Sequence, residues 1–275
     1  MTIRHDPDDR ASYETHAIRR LGAIAAQRGW SIDAEPSTRF AARITLPDGR
    51  RHVLIGADLG LNSSAARRVA EDKAIAAHFL CQDGLPTVPT FPIADAHDAA
   101  RTVAENALAL PLVIKPNRSH EARGLSIVHD AHAIPVGVDT ARAVDPIVLL
   151  QPFDERPEYR LLLLGEELIA AFRKHPPSPM TPANLAAGAT WEDATRSVHP
   201  DHVPLARLAL GSLGLTFAAV DLFASDIGAP PADDAPAILE VNATPGLKAL
   251  SGIPDALDTL FTAVADHLER PPARS

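Results

Sequence analysis

Glu240 and Asn242 stand two residues apart in Ala237-Ile238-Leu239-Glu240-Val241-Asn242-Ala243-Thr244-Pro245-Gly246-Leu247, an apolar run that ends in a Pro-Gly turn. On a strand, alternate side chains share a face, so Glu240 and Asn242 emerge together while Leu239 and Val241 face away. A carboxylate and a carboxamide then aim their oxygens at one spot. Upstream, Phe217-Ala218-Ala219-Val220-Asp221-Leu222-Phe223 is a second apolar run, interrupted by one acid. If the two strands pair, Asp221, Glu240 and Asn242 form an all-oxygen set of the kind that holds magnesium against nucleotide phosphates. The competing reading makes each acid a solvent-facing residue on an edge strand.

Chemistry on phosphates also needs cations. Lys73 lies in Glu71-Asp72-Lys73 on a helix, and Lys115 ends the buried strand Val113-Ile114-Lys115-Pro116. From there Pro116-Asn117-Arg118-Ser119-His120-Glu121-Ala122-Arg123-Gly124 is a turn-forming segment that could wrap phosphates with backbone N–H groups while its arginines neutralise oxygens. Taken singly, these features have ordinary alternatives, since helix lysines are commonly solvated and strand-end lysines commonly snorkel. Val148-Leu149-Leu150-Gln151-Pro152-Phe153, followed by Pro157-Glu158-Tyr159-Arg160, offers apolar side chains and strand backbone against which an adenine could lie, with ribose hydroxyls reaching Glu158. The alternative there is a plain hairpin.

The elements that must position these groups follow from periodicity. Apolar positions Ile18, Leu21, Ile24 and Ala25 predict a helix over 13–28, and 39–46 with 51–55 around Pro47-Asp48-Gly49 predict a hairpin. Ser63-Ser64 caps one helix running to about Gln82, which Asp83-Gly84-Leu85-Pro86 stops. Strands are expected at 88–93, 111–116, 125–128 and 146–153. A further pair lies between 160 and 172, broken at Gly165-Glu166-Glu167, and 217–223 and 237–242 complete the set. Helices are expected at 96–106, capped by Asp95, at 201–214 and at 253–270. Residues 174–200 are rich in Pro, Ala and polar residues and read as one long loop, either mobile or functional, and 225–236 as a surface insertion. Strand pairs that look like hairpins, interleaved with helices, indicate mixed α+β layers rather than a doubly wound parallel sheet.

Composition narrows the function classes. The 275 residues can bury a full core. A net charge of −9, from 26 basic and 35 acidic residues, argues against a nucleic-acid partner, so any anion must meet a local cluster of cations. Aromatic residues are only 4%, too few for a base-stacking platform. No apolar stretch has the length of a membrane span, and Met1-Thr2-Ile3-Arg4-His5-Asp6 lacks a signal core, so a cytoplasmic protein is expected. Cys81 is the only cysteine, which forbids an intrachain disulfide and is expected as a small core residue. His129 with His132 and His199 with His202 stand three apart without an evident third ligand, and are expected at the surface.

The order Lys73, Lys115 with its loop, the Gln151 strand, Glu158, Arg160, Arg173, then Asp221, Glu240 and Asn242 resembles the ATP-grasp superfamily from about residue 13 to 265. The likeness extends to the ligase modules of cyanophycin synthetase and of the bifunctional γ-glutamylcysteine synthetase/glutathione synthetase. There a helix beginning near Asp-Lys leads to Gly-x-Pro-x-Pro, as Asp72-Lys73 leads here to Gly84-Leu85-Pro86-Thr87-Val88-Pro89, with one extra residue between the prolines. The stretch from Glu240 to Leu247 also resembles enzymes that add glutamate to a ribosomal protein tail.

The resemblance implies two α+β subdomains clasping ATP: a reduced N-terminal segment (1–62), a central lid subdomain (63–148) and a C-terminal subdomain with the metal site (149–275). It implies that ATP phosphorylates a carboxylate and that an amine attacks the acyl phosphate, giving an amide, ADP and phosphate. Lys73 and Lys115 would hold the α- and β-phosphates, with Arg123 and Gly124 in the phosphate loop and Gln151, Phe153 and Glu158 around the nucleoside. Asp221, Glu240 and Asn242 would place two magnesium ions, or manganese in their stead. Arg173, assisted by Arg160, would sit near the transferred phosphoryl group and the tetrahedral intermediate. Thr244 and the following turn would give N–H donors to substrate, and Asn184-Leu185 with Gly188 an acceptor loop. Amino acids or peptides are the implied substrates and a homodimer or homotetramer the implied assembly.

Two departures stand out: the phosphate loop carries Ala122 and one glycine, Gly124, and Gln151 takes the place of a glutamate. The segment before Lys73 is also short, which implies a reduced acceptor site or a partner subunit that completes it. Two other readings compete with a small carboxylate–amine ligase. One is a modifier of a peptide or protein, by terminal amino-acid addition or side-chain crosslinking; the other is an inactive nucleotide-binding regulatory module, against which the retained lysines and metal-type residues argue.

Overall fold

The computed structural model of the chain describes residues 2–3, 10–36, 40–178, 181–183, 185 and 188–271. Arg39, Asn184 of the expected acceptor loop and residues 272–275 lie outside them. In order come β1 (Thr2–Ile3), α1 (Arg10–Arg28), β2 (Ser31–Ala34), β3 (Ala41–Thr45), β4 (Arg51–Ile55), α2 (Ser64–Glu71), α3 (Lys73–Gln82), β5 (Phe91–Ile93), α4 (Ala96–Glu105), β6 (Leu112–Pro116) and β7 (Ser126–Val128). There follow α5 (Ile134–Arg142), β8 (Val148–Pro152), β9 (Glu158–Leu164), β10 (Glu167–His175), β11 (Thr190–Asp193), α6 (His202–Ser212), β12 (Phe217–Phe223), α7 (Pro231–Asp234), β13 (Ala237–Asn242) and α8 (Ala256–Glu269).

Three antiparallel sheets result. The largest has the order β1-β11-β10-β9-β12-β13, a second is the meander β2-β3-β4, and a third runs β5-β8-β6-β7. The largest sheet is covered differently on its two faces. Leu161, Leu163, Ala218 and Val220 pack against α2, α3 and α6, where Ala70, Leu80 and Ala206 are buried. On the other face, Leu162, Leu164, Phe172 and Phe217 pack against α1, α8 and the meander through Leu21, Ile44 and Phe261. That second apolar patch occupies only part of its face, and the remainder carries charge. The four-stranded sheet has its own core, Leu112, Ile114, Val148 and Leu150 against α4 and α5. β8 crosses the division expected at 148/149, and residues 153–157 make the connection from the four-stranded sheet to the six-stranded one.

The mixed α+β layering is as expected, and several elements differ in instructive ways. The helix expected over 64–82 is two helices, because Asp72 leaves helical geometry (φ −92°, ψ 97°) and caps α3, accepting from Ile75 N at 3.1 Å. Its side chain competes with the helical ladder for a backbone donor, as aspartates do at N-caps. The strand expected at 88–93 is confined to 91–93. Val88 N instead donates to Ile238 O (2.9 Å) and Ile238 N to Pro86 O (2.8 Å), tacking this segment beside β13. The hairpin of the meander has a third strand, β2, and α5 occupies a stretch whose Pro135 and Gly137 weaken a helical reading. β11 lies inside the expected long loop, paired with β10, so the connection shortens to 176–189. Cys81 is exposed rather than in the core. His202 opens α6 fully buried, with Nε2 3.0 Å from Ala229 O, so the surface expectation holds for exposed His129 and His132 and fails here.

Candidate active site

β9, β12 and β13 lie side by side, and their register sets the charged part of the sheet. Asp221 is opposite both Glu240 and Arg160, Ala219 is opposite Asn242, and Lys174 is opposite Glu158. Directly opposed residues share a face, so Glu158, Arg160, Lys174, Asp221, Glu240 and Asn242 converge. Asn62 fixes the two acid-bearing strands from one end: its Nδ2 donates to Phe217 O (2.7 Å) and Ala243 O (2.9 Å) while Oδ1 accepts from Thr216 N and Phe217 N.

Asp221 is fully buried at the centre. Arg160 donates to it twice, Nε to Oδ1 and Nη2 to Oδ2, each at 2.6 Å, and Lys174 Nζ donates to Oδ2 at 2.8 Å. Lys174 also pairs with Glu158. Trp191 covers both cations, its ring centroid 4.9 Å from Arg160 Cζ and 5.3 Å from Lys174 Nζ. Asn242 Nδ2 donates to Glu240 Oε1 at 3.1 Å, and Lys73 Nζ lies 3.5 Å from Glu240 Oε2.

The charge states follow from this crowding. Burial pushes the Glu240 carboxyl up, but Lys73, Lys115, Lys174 and Arg160 together outweigh it and hold the group well below the usual carboxylate range. Burial pushes Glu158 up, and Lys174 only partly offsets that. For Arg160, burial is outweighed by Asp221, and its pKa rises further.

The four-stranded sheet faces this cluster with Lys115, Val113, Ile127 and Gln151. Lys115 is 5% exposed, and burial lowers its pKa to about 8 despite the attraction of Glu240. The loop after it is tied to α3 at several points: Asn117 Oδ1 accepts from Ala74 N (2.9 Å), Arg118 Nη2 pairs with Asp72 (2.7 Å) and Lys73 Nζ donates to Ser119 O (3.0 Å). Burial pushes Asp72 up, and Asn117, the Ile75 N–H and Arg118 hold it lowered on balance. Glu121 and Ala122 take left-handed backbone (φ 58° and 55°) as does Gly124 (φ 77°), so the glycine-poor loop keeps turns that L-residues adopt only at a cost.

Between the two faces lies a cavity of about 1090 Å³, ample for a nucleotide and a second substrate. Lys73, Lys115, Gln151, Phe153, Glu158, Arg160, Glu240, Asn242 and Thr244 line it, above the buried Asp221. Arg173 is exposed and reaches the cavity from the strand face opposite to Lys174, being opposed to Tyr159. Arg123 is exposed, and neither it nor Gly124 is among the lining residues. Lys174 and Trp191 are the site residues the sequence analysis passed over. Strand alternation from Arg160 and its partner Phe172 carries a signal for Lys174; Trp191 is visible only once β11 is known.

The donor chemistry fits a hard divalent cation. Glu240 stays ionised, and Asp221 has about four acceptor positions, of which Arg160 and Lys174 use three and Asn242 Nδ2, at 3.4 Å, meets the fourth; turning the Asn242 amide over would free that position and add its carboxamide oxygen. Among the described residues no three His, Cys, Asp or Glu are arranged to hold a metal ion by themselves, so the set depends on Asn242 as the third oxygen donor.

Known proteins resemble this chain over most of its length. The family model of the RimK-like ATP-grasp domain matches residues 70–257. A probable alpha-L-glutamate ligase of Xanthomonas euvesicatoria pv. vesicatoria is 28% identical over 268 residues, covering 96% of this chain and 83% of that protein. One from Sodalis glossinidius is 26% identical over 246 residues, covering 88% and 76%. Among solved structures, a bifunctional glutathione synthetase from Pasteurella multocida superposes with a TM-score of 0.64 at 15% identity, over 93% of this chain. The chain spans only 45% of that synthetase. D-alanine–D-alanine ligase from Bacillus anthracis superposes with a TM-score of 0.59 at 17% identity, covering 74% of this chain and 69% of that one.

Proposed function

The chain belongs to the RimK-like ATP-grasp family, and from that membership we propose that it joins a carboxylate to the amine of an amino acid or peptide, with ATP consumed through an acyl phosphate. The observation that carries the reading is that Lys73, Lys115, Glu240 and Asn242 line one cavity, with the buried Asp221 behind the two oxygen donors. The cations suit the phosphates, and the oxygen donors suit the metal that accompanies them.

In this reading Lys73 and Lys115 orient the phosphate chain, and the loop they anchor closes over it. Gln151, Phe153 and Glu158 receive the nucleoside. Glu240, Asn242 and Asp221 would hold divalent metal, taken as two magnesium ions, whose charge would offset that of the phosphates. Arg160 and Lys174 hold the Asp221 carboxylate in place by charge-assisted hydrogen bonds, and Arg160 gives fixed positive charge beside the reacting carboxyl. Arg173 stands at the rim, placed to meet a second substrate rather than the buried acids. The site needs no proton relay for phosphoryl transfer, because positioning and charge account for most of the rate. The relatives named as glutamate ligases make glutamate the first amino acid to test. Among the described residues no helix is long and apolar enough to cross a membrane, and a cytoplasmic location is part of the proposal. Homodimers and homotetramers remain the assemblies to test.

The purified protein should be incubated with ATP, magnesium, glutamate and a panel of amino acids and short peptides, following ADP, phosphate and product masses. ADP with a product lighter by one water than its precursors is expected. AMP in place of ADP would overturn the acyl-phosphate route.

A further inference from the structure

Gln151 is buried at 2% exposure on β8, and its side chain lines the cavity beside Val113, to which it is directly opposed. A carboxamide there can turn either its oxygen or its NH2 toward a ligand, and the choice decides which base edge it reads. The neighbouring chain settles the choice. Thr90 Oγ1 donates to Val88 O at 2.9 Å. A hydroxyl has one hydrogen, so this bond leaves Thr90 only as an acceptor toward Gln151. Gln151 Nε2 donates to Thr90 Oγ1 at 2.7 Å. Val88 is itself held, since its N–H, in the preceding peptide unit, donates to Ile238 O on β13 and ties the residue to the six-stranded sheet.

We infer that Thr90 is a positioning residue for nucleobase choice: it locks the Gln151 amide with NH2 inward and Oε1 toward the cavity, as an acceptor for an exocyclic amino group. Adenine carries such a donor at N6, whereas guanine carries an acceptor at O6. With Oε1 fixed, guanine sets two acceptors face to face and leaves both unpaired in a dry site. Thr90 lies outside the cavity lining. Its effect runs only through the amide orientation. This inference rests on the proposal that the cavity holds ATP.

The test is binding of the β,γ-imido analogues of ATP and GTP, with magnesium, to wild type, Thr90→Val and Thr90→Ser, measured by calorimetric titration. Wild type is expected to prefer the adenine analogue by tenfold or more. Thr90→Val has the same shape without the hydroxyl, and frees the amide to turn, so the preference should shrink about tenfold, in line with the worth of one hydrogen bond in a buried site. Thr90→Ser should restore the wild-type preference, which a merely structural role would not require. A folded Thr90→Val that keeps the wild-type preference overturns the inference, as does a wild type that binds both analogues equally; in both cases the ATP-grasp reading stands. A wild type that binds neither analogue overturns the inference and the ATP reading together.

Discussion

Lys115 is the residue whose charge depends most on the state of the site. Buried between Lys73 and the acid cluster, it titrates at about 8 in the free protein. Phosphates placed beside it favour the protonated form and move its pKa back up. Binding above pH 8 therefore draws a proton from solvent, and well below pH 8 Lys115 is already charged and takes none. At pH 8.5 calorimetric titrations with the ATP analogue in buffers of different ionisation enthalpy should show uptake of roughly three quarters of a proton. Lys115→Arg, which cannot lose its charge in this range, should abolish the uptake; an unchanged value would place the titrating group elsewhere. Lys174 makes a second prediction. Replaced by Met, it leaves Asp221 and Glu158 without their shared cation, and breaking a buried pair by removing one partner costs about 3 kcal/mol or more. Urea denaturation should show that loss, and turnover should fall with it; wild-type stability would mean that Lys174 is solvated.

Strands and caps carry these residues to one place, and the loop after Lys115 shows how tightly. A Cβ on Gly124 would stand 2.8 Å from both Pro116 Cγ and Val144 Cγ2, at a φ of +77°. Gly124→Ala should therefore cost about 2 kcal/mol, from left-handed strain and overpacking together, visible as a lower urea midpoint. Ala122→Gly nearby relieves a left-handed alanine at some entropic cost and should stay within about 1 kcal/mol of wild type. The sequence made the acid-bearing strands legible because their apolar runs are long and their polar residues few, so parity alone put Glu240 and Asn242 on one face. Their pairing with Asp221 followed from adjacency. The same parity, extended from Arg160 across the Gly165 turn, separates Lys174 from Arg173, but the bulge between Leu168 and Ala170 shifts the count. Asp72 is the complementary case: a helix-compatible stretch is divided there by a side chain that caps α3 and is also held by a partner 46 residues away, at Arg118. No local pattern records that partner.

At the scale of the whole molecule, the cavity joins two sheets with separate apolar cores, crossed only by the 153–157 connection and by the segment from Val88 to β5. A nucleotide bound by Lys115 on one sheet and by Glu240 on the other bridges them, and binding to the native state alone adds about 2.7 kcal/mol at a hundredfold excess over Kd. For a chain of this size that gain raises the melting temperature by about 5 °C. ATP with magnesium should produce that shift in a thermal scan, and ATP with a chelator much less, because the acid wall then meets the phosphates without its cation. Glu240→Ala removes a carboxylate held ionised by the surrounding cations, so it should lose turnover and the magnesium-dependent part of the shift, read against the variant's own ligand-free melting temperature. A variant that keeps the full magnesium-dependent shift would remove Glu240 from the metal site, and with it the argument that the two sheets are bridged through that carboxylate.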